Sequence, residues 1–372
     1  MSTPSFAVVG AGPAGATAAR LLASRGARVS LFEARRLPRH KLCGGGLTPK
    51  AQRLVPASVL ETVEHRVHLV ELRGGWLPPL LLDESAAEIA MVERSSFDLA
   101  LTRAAADAGV EVREDERVEA VVEDGDGVTV TTGRGRLRVD AIMVADGDPS
   151  GVARLLGLGG PAARHSLALE VDLPIAPRLP PDTAILSFDI PGGYSWYFPK
   201  GDHASVGAGT YRGTAHAGSA PERLERALTR FIRSVGLETP DGKIAGHWIP
   251  QGLRQGKLAS PRAVIVGDAA ATVDPLFGEG IAYALTSGAL AAGVIEDWQA
   301  GRERDLLAYD TKLRALLGPA FGRLRFAALA AERSTTLAMG LMRVSPWARR
   351  MAVDAIAGRR PPFSVGEDWE VA

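Results

Sequence analysis

Short apolar runs alternate with helical stretches along the chain, the arrangement of an α/β protein. Phe6 to Val9 enters a turn carrying Gly10, Gly12 and Gly15, and an alanine-rich helical pattern follows from Pro13 to about Ser24. The next run, Arg28 to Phe32, predicts a strand ending at Glu33. Between residues 61 and 92 the apolar pieces are short (His68 to Leu72, Leu77 to Leu82, Ile89 to Val92) and predict strands of a second sheet. Arg94 opens a helix with Ser95 or Ser96 as its cap, Leu99, Leu101 and Ala105 on its buried side and Gly109 as its stop. A strand from Val110 to Arg113 follows, then a ribbon of Val118 to Val122 and Val128 to Thr132 around Asp124 to Gly127. Leu137 to Ala145 reads as one apolar strand that stops at Asp146-Gly147. Period-two patterning returns at Ser166 to Leu173, Thr183 to Ile190, Tyr194 to Pro199 and Ala204 to Thr210. A helix from about Pro221 to Val235, a strand near Lys243 to Ile249 and a buried strand from Arg262 to Gly267-Asp268 come next. The apolar helix Ile281 to about Trp298 and an arginine-rich helical remainder complete the pattern.

The first turn carries chemistry. Gly10 permits the tight turn, Gly12 lets backbone approach a pyrophosphate, and Gly15 lets the helix pack close to the strand. Free N–H groups at the helix start, around Pro13 and Ala14, then face phosphate with the positive end of the helix dipole. Glu33 follows Gly15 by 18 residues, where a carboxylate can accept hydrogen bonds from a ribose diol. Strand, helix, second strand and acid together read as dinucleotide binding. The other strand ends are less specific: Asp146-Gly147 is either a plain turn or a carboxylate at the ligand-binding edge of an open sheet. Asp274-Pro275 leads to Gly278-Glu279-Gly280-Ile281, where glycines leave the N–H groups of the following helix uncovered for negative charge.

Two other stretches stand out. Cys43 is followed by Gly44, Gly45 and Gly46, which reads either as a flexible loop or as backbone laid against something flat. In the run from Pro191 to Pro199, period two puts Tyr194, Trp196 and Phe198 on one strand face and Tyr197 on the other. Three rings on one face form either sheet core or the wall of an apolar pocket.

Composition narrows the options. Basic and acidic residues balance at 43 each, so charge gives no reason to expect a nucleic-acid partner. The single cysteine excludes an internal disulfide and fits a reducing, cytoplasmic location, and the immediate start of the first strand predicts no signal peptide. The longest apolar stretch, Ile281 to Ile295, is short for a bilayer span and predicts a buried helix. Beyond Arg302, Arg314, Arg323, Arg325, Arg333, Arg343, Arg349 and Arg350 interleave with apolar residues, as in a domain cap or in helices resting on lipid.

Taken as an ordered set, Gly10-x-Gly12-x-x-Gly15, Glu33, Arg94, Asp146-Gly147 and Gly267-Asp268 resemble the FAD-binding domain shared by aromatic-ring hydroxylases, flavin halogenases and geranylgeranyl reductases. Lys41-x-Cys43-Gly44-Gly45 and Pro191-x-x-Tyr194-x-Trp196-x-Phe198-Pro199 are similar to geranylgeranyl reductases in particular. The resemblance implies a Rossmann-like FAD-binding domain built from 1–60, 93–160 and 256–300. Interleaved with it are substrate-domain strands at 61–92 and a mixed β-sheet substrate domain at 161–255, followed by a C-terminal helical region at 301–372. It further implies FAD as cofactor, with Gly10, Gly12, Pro13, Ala14 and Gly15 at the dinucleotide turn and Glu33 with Ala34 at the adenosine ribose. Arg94 would support the pyrophosphate or flavin, Asp146-Gly147 would lie at the sheet edge, and Gly267-Asp268 would hold the ribityl-diphosphate part. Pro275, Gly278, Glu279, Gly280 and Ile281 would sit against the isoalloxazine, covered from the other side by Cys43, Gly44 and Gly45.

What the family implies for activity is reduction of C=C bonds in a geranylgeranyl-type lipid, with hydride delivered from N5 of the reduced flavin. Tyr194, Trp196 and Phe198 would wall the lipid cavity, and Cys43 would position substrate or deliver a proton. The implied donor of electrons is NADPH or a ferredoxin-type reductase; no metal is implied, and peripheral membrane contact would give access to the lipid. A monooxygenase or halogenase uses the same FAD domain. A halogenase carries a tunnel lysine and a Trp-x-Trp motif, whereas here the aromatic run starts at Tyr194 and Lys41 lies in the cysteine loop. A prenyl-lipid carrier that keeps FAD for structure alone is the reading from outside enzymology.

Overall fold

The computed structural model describes residues 3–75, 77–83, 88–176, 178–190, 192–210, 220–239 and 244–357. Pro191, at the head of the aromatic run, and Lys243, at the start of an expected strand, lie outside them. A five-stranded parallel sheet runs in the order Ala263–Ile265, Ala141–Val144, Ser5–Val9, Arg28–Phe32, Glu111–Arg113. Apart from the edge strand Glu111–Arg113 these strands are mostly apolar, because helices and the strands Val118–Asp124 and Gly127–Thr132 pack on them in one core. Ser5–Val9 is central, with its chain successor on one side and Ala141–Val144 on the other. The crevice beyond their carboxyl ends is therefore the point where the winding of the sheet reverses, the usual ligand position in open α/β sheets. The helix Pro13–Ser24 packs there, with the fully buried interior of Ile281–Gln299 against it.

The expected single strand from Leu137 to Ala145 is two strands. Gly135–Val139 closes a three-stranded antiparallel ribbon with Gly127–Thr132 and Val118–Asp124, and Ala141–Val144 joins the parallel sheet. Asp140 makes the break: its carboxylate accepts from the Ser5 N–H at 2.7 Å and the Ser5 hydroxyl at 3.1 Å, fixing where the parallel strand begins. The helix Arg94–Asp107 starts a residue before its expected caps, and Glu93, at its N-cap, makes no side-chain capping bond.

A seven-stranded sheet runs in the order Ala245–Arg254, Ala162–Pro174, His203–Thr210, Gly193–Lys200, Thr183–Ser187, Leu69–Arg73, Leu80–Asp83. It is antiparallel except where Thr183–Ser187 lies parallel to Leu69–Arg73. The run expected from Leu77 is a strand only from Leu80, after Pro78 and Pro79, which cannot donate to a ladder. One face of this sheet, with Leu167, Ile185, Tyr197 and Val206, packs on Leu224, Leu228, Phe231 and Ile232 of the helix Ala220–Ser234. The opposite face looks into a cavity. A small sheet of Gly46–Leu47, Ile89–Val92 and Val63–Val67 carries the glycine loop to the same place.

Three helices follow: Ala308–Arg333, Thr335–Val344 and Pro346–Ala357. Leu313, Leu317 and Phe321 of the first join the core of the parallel sheet, and Met339 of the second packs beside Trp196 and Leu186. Among the described residues no helix is long and apolar enough to cross a membrane.

Candidate active site

A cavity of about 1070 Å³ opens between the crevice of the parallel sheet and the inner face of the seven-stranded sheet. Gly10, Gly12, Pro13 and Ala14 line one end. At Gly10 the backbone has φ +102° and an added Cβ would stand 2.3 Å from the Ala145 carbonyl oxygen; at Gly15 it would stand 2.0 Å from the Gly10 oxygen. Both positions exclude any side chain. At Gly12 the nearest atom would be Arg39 Nη2 at 3.8 Å, so the backbone at the helix start is bare on the cavity side. Gly12 makes no capping bond, which leaves the N–H groups of the first turn for a phosphate. Gly15 lies off the cavity wall, because its part is to close the turn from behind.

Glu33 and Ala34 line the same end. The Glu33 carboxylate already accepts from Ala11 N–H and Arg35 N–H, each at 3.1 Å, and from Arg39 Nε at 3.0 Å. Arg39 Nη1 also donates to Asp98 at 2.9 Å, and Asp98 takes a bidentate pair from Arg94 at 2.9 and 3.0 Å. Burial by itself depresses the Arg94 pKa, but the Asp98 carboxylate and the neighbouring Cys43 sulfur raise it above the ordinary arginine value. Arg94 is thus a buried permanent cation on the cavity wall, held by a partner one helical turn away.

Asp146 and Gly147 are on the wall as well. Asp146 also caps a short helix, accepting from Ser150 Oγ at 2.5 Å and Val152 N–H at 3.0 Å. Asp146 thus both shapes its turn and faces the cavity. Its pKa is raised, chiefly by burial. Opposite, Asp268 pairs with Lys41 at 2.9 Å; burial would raise its pKa, but Lys41 holds it below the ordinary carboxylate value.

Gly278, Glu279, Gly280 and Ile281 line the cavity; Pro275 does not. Pro275 is buried behind the turn, beside Asp274, which shapes that turn by accepting from Leu276, Phe277 and Glu279 N–H groups at 2.8, 2.7 and 2.8 Å. Burial, with the Glu279 charge added, pushes the Asp274 carboxyl up to about 6. Glu279 in turn accepts from Thr48 Oγ1 at 2.6 Å and pairs with Lys50. Gly280 precedes the helix Ile281–Gln299 without a side-chain cap, so its first N–H groups face the cavity unclaimed by a side chain.

Cys43, Gly44 and Gly45 form the facing wall. The flat object against the glycines is Phe198: a Cβ at Gly44 would come within 2.7 Å of Phe198 Cδ2. Gly45 has φ +75° and a Cβ there would meet the Val92 oxygen at 2.1 Å. Tyr194, Trp196 and Phe198 line the cavity as a row of tilted rings, with centroids 5.8 and 6.4 Å apart between neighbours, while Tyr197 faces the other side. Tyr194 donates its hydroxyl to the Phe277 carbonyl, fastening the aromatic strand to the 274–279 turn. Burial raises the Tyr194 pKa, so the hydroxyl stays neutral.

Sequence reasoning missed several residues. Gly207 stands opposite Trp196 in the next strand, where a Cβ would come within 2.0 Å of the indole. The alternation of Ser205, Gly207 and Gly209 beside an aromatic strand is the signal that could have shown it. Glu170 and Lys200, both buried, were hidden because polar residues at period two ordinarily mark a solvent face. Asp274 carried only the general Asp-Pro turn signal.

The chain matches the family model described as an FAD binding domain over residues 3–316. It is 32% identical over 319 residues to a menaquinone reductase from Mycolicibacterium smegmatis, covering 77% of this chain and 74% of that one. A digeranylgeranylglycerophospholipid reductase from Methanocella arvoryzae is 30% identical over 332 residues, covering 84% and 83%. Among solved structures, a geranylgeranyl bacteriochlorophyll reductase-like protein from Thermoplasma acidophilum superposes with a TM-score of 0.76 at 24% identity, covering 99% of this chain and 95% of that one. That last likeness shows the fold alone.

Proposed function

The chain belongs to the FAD binding domain family, as an FAD-dependent oxidoreductase related to geranylgeranyl reductases, and we propose that it reduces C=C bonds in an isoprenoid chain. One observation carries the reading: a single cavity joins a bare helix N-terminus at one end to a wall of Tyr194, Trp196, Phe198, Val70, Ala184 and Leu186 at the other. The first end suits a pyrophosphate and the second an apolar chain.

In this reading Gly12, Pro13 and Ala14 hold the pyrophosphate, Glu33, Ala34 and Arg39 the adenosine, and Asp268 the ribityl part. Arg94, Cys43 to Gly45 and Gly278 to Ile281 enclose the isoalloxazine. Bound and reduced, the flavin supplies a hydride. The protein does the rest. The ring wall orients the isoprenoid and excludes water, which matters because an isolated alkene has no carbonyl to store charge and both transfers must be closely timed. Tyr194 acts as wall and tie, since its O–H is committed to Phe277. Cys43, beside Arg94, positions substrate at the cofactor. NADPH or a ferredoxin-type reductase provides the electrons.

We also assign the C-terminal helices a contact with an anionic lipid surface. Phe326, Leu337, Val344 and Trp347 are 75, 71, 80 and 66% exposed, with Arg325, Arg349 and Arg350 exposed among them. Met339, on the inner side, belongs to the apolar cluster of Trp196 and Leu186 behind the cavity wall, so the same helix joins that cluster to the exposed face.

The test is anaerobic. The bound flavin is reduced chemically, geranylgeranyl lipid is added, and flavin absorbance and product mass are followed. Reoxidation without oxygen, with the lipid two mass units heavier per double bond, is the expected result. A flavin that stays reduced until air enters overturns the reductase reading in favour of a monooxygenase.

A further inference from the structure

Saturating an alkene consumes a proton as well as a hydride, and the ring-walled end of the cavity has few groups to supply it. Glu170 is one. It lines the cavity and is 8% exposed. Its place follows from strand register: Glu170 pairs with Gly207, and Gly207 with Trp196, so the carboxylate and the indole lie in one row of the same sheet face. With no side chain at Gly207, nothing on the intervening strand separates them. The Ser205 hydroxyl and the Cys43 backbone N–H are directed at the carboxylate, and Lys200 and Asp172 face it from the neighbouring positions. Tyr194 and the Cys43 thiol are further titratable neighbours among the described residues.

From Lys200, whose charge acts on Glu170, a line of hydrogen-bonded ionisable groups leads outward. Lys200, 2% exposed, donates to Glu93 Oε1 at 2.5 Å, and the same oxygen lies 3.2 Å from His203 Nε2. His203 Nδ1 lies 2.9 Å from Asp202, whose side chain is 99% exposed. Lys200 and His203 are paired across one rung of the sheet, so the line crosses from the buried interior to the surface within a single ladder step. Glu64 completes the outer cluster, with ligand atoms of Glu64, Glu93 and His203 all within 4.8 Å of one another. The Lys200 ammonium on Glu93 sets that cluster against a metal ion and in favour of a mobile proton.

Resting on the reductase reading above, we propose that Glu170 gives the substrate its proton and that Lys200, Glu93 and His203 reload it from solvent. The π pair of the double bond forms a new C–H bond with the Glu170 proton at one carbon while its O–H bond breaks. The other carbon receives the hydride whose source is the two-electron-reduced flavin. The alkene gains two electrons, the flavin loses two, and Glu170 is left as a carboxylate. Lys200 returns a proton to it and is reprotonated through Glu93 from the His203 imidazolium, which takes its own from water. Burial pushes the Glu170 carboxyl up to about 7, with Lys200 opposing the rise and Asp172 adding to it. The His203 pKa is raised by its hydrogen bonds to Asp202 and Glu93, which outweigh the opposing effect of burial. Glu170 therefore carries an exchangeable proton near neutral pH, and His203 holds its proton more tightly than a free imidazole.

The experiment uses the full chain with FAD bound, in the wild type, Glu170→Gln, Glu170→Asp and His203→Asn forms. Each is chemically reduced without oxygen and mixed with geranylgeranyl diphosphate across pH 5.5 to 9, a span chosen to be about 1.5 to 2 pH units on either side of the Glu170 value. The wild-type reoxidation rate is expected to fall as pH rises through about 7, because the protonated acid is the donor. Glu170→Gln should react at least ~100-fold more slowly without that fall, and Glu170→Asp should restore part of the rate. With dithionite kept in excess so that the flavin is reduced again after each turnover, His203→Asn should leave the first turnover intact and slow the later ones. A readout independent of turnover is infrared titration of the oxidised holoprotein: a protonated-carboxyl C=O band that disappears as pH rises through about 7 and is missing from Glu170→Gln. Wild-type reoxidation by the lipid with an undiminished rate in Glu170→Gln overturns the inlet and leaves the reductase standing. A wild type that the lipid does not reoxidise overturns the reductase reading and this inference together.

Discussion

Trp196 lies flat across its neighbouring strand because residue 207 has no side chain, and a Cβ there would fall 2.0 Å from the ring. Gly207→Ala therefore forces the indole or the strand to move. Overpacking of this kind costs about 1–3 kcal/mol, so a lower midpoint in thermal or denaturant unfolding is expected. The same change tilts the ring into the cavity, and lipid affinity should fall while FAD remains bound. At Gly44 the close approach is to Phe198. The sequence left open whether this loop is flexible or lies against something flat, and it could not show the ring that approaches it from a strand about 150 residues further along.

The 274–279 turn is an element held by one side chain. Three backbone N–H groups donate to the Asp274 carboxylate, and the turn then delivers Gly278 to Ile281 to the cavity. Asp274→Ala leaves those donors without their acceptor. Since a hydrogen bond to a charged group is worth about 1.5–3 kcal/mol, stability should drop by roughly 3 kcal/mol, after part of the loss is recovered from solvent. FAD affinity, measured by fluorescence titration, should weaken at least tenfold if the turn faces the flavin, which is about 1.4 kcal/mol. A variant that loses stability but binds FAD as tightly as the wild type would separate the turn from the cofactor. Strand boundaries show what element-level patterns miss. The apolar run from Leu137 to Ala145 conceals a change of sheet at Asp140, because both segments are apolar and only the anchor to Ser5 distinguishes them.

Over the whole molecule, the cavity needs both sheets and the glycine loop at once, and the C-terminal helices pack behind them. The first half of the helix Ala308–Arg333 caps the parallel-sheet core, while the helices after it present apolar side chains outward. The first part of this region thus packs as a cap, and the later part carries the lipid contact proposed above. Val344→Glu with Trp347→Glu should reduce cosedimentation with vesicles containing anionic phospholipid at least fivefold and leave flavin reoxidation by a detergent-dispersed lipid unchanged, since charged groups on such a face oppose its insertion. Equal cosedimentation of wild type and double variant would remove the membrane assignment.

The sequence by itself determined the parts whose physics is local. The dinucleotide turn is written in the spacing of Gly10, Gly12 and Gly15, because only backbone fits there. The ring row follows from period two, because alternate side chains of a strand must share a face. Tertiary structure decided what those faces meet. Pro275 turned out to lie behind its turn and off the wall, and Glu170 and Lys200 to be enclosed, because burial depends on which distant strands are neighbours. Ser166, Ala168, Glu170 and Asp172 alternate with Leu167, Leu169, Val171 and Leu173 just as a solvent-facing strand does. Only the closing of the glycine loop over that face turns a polar stripe into the floor of a cavity, and no local pattern encodes a contact made across more than a hundred residues.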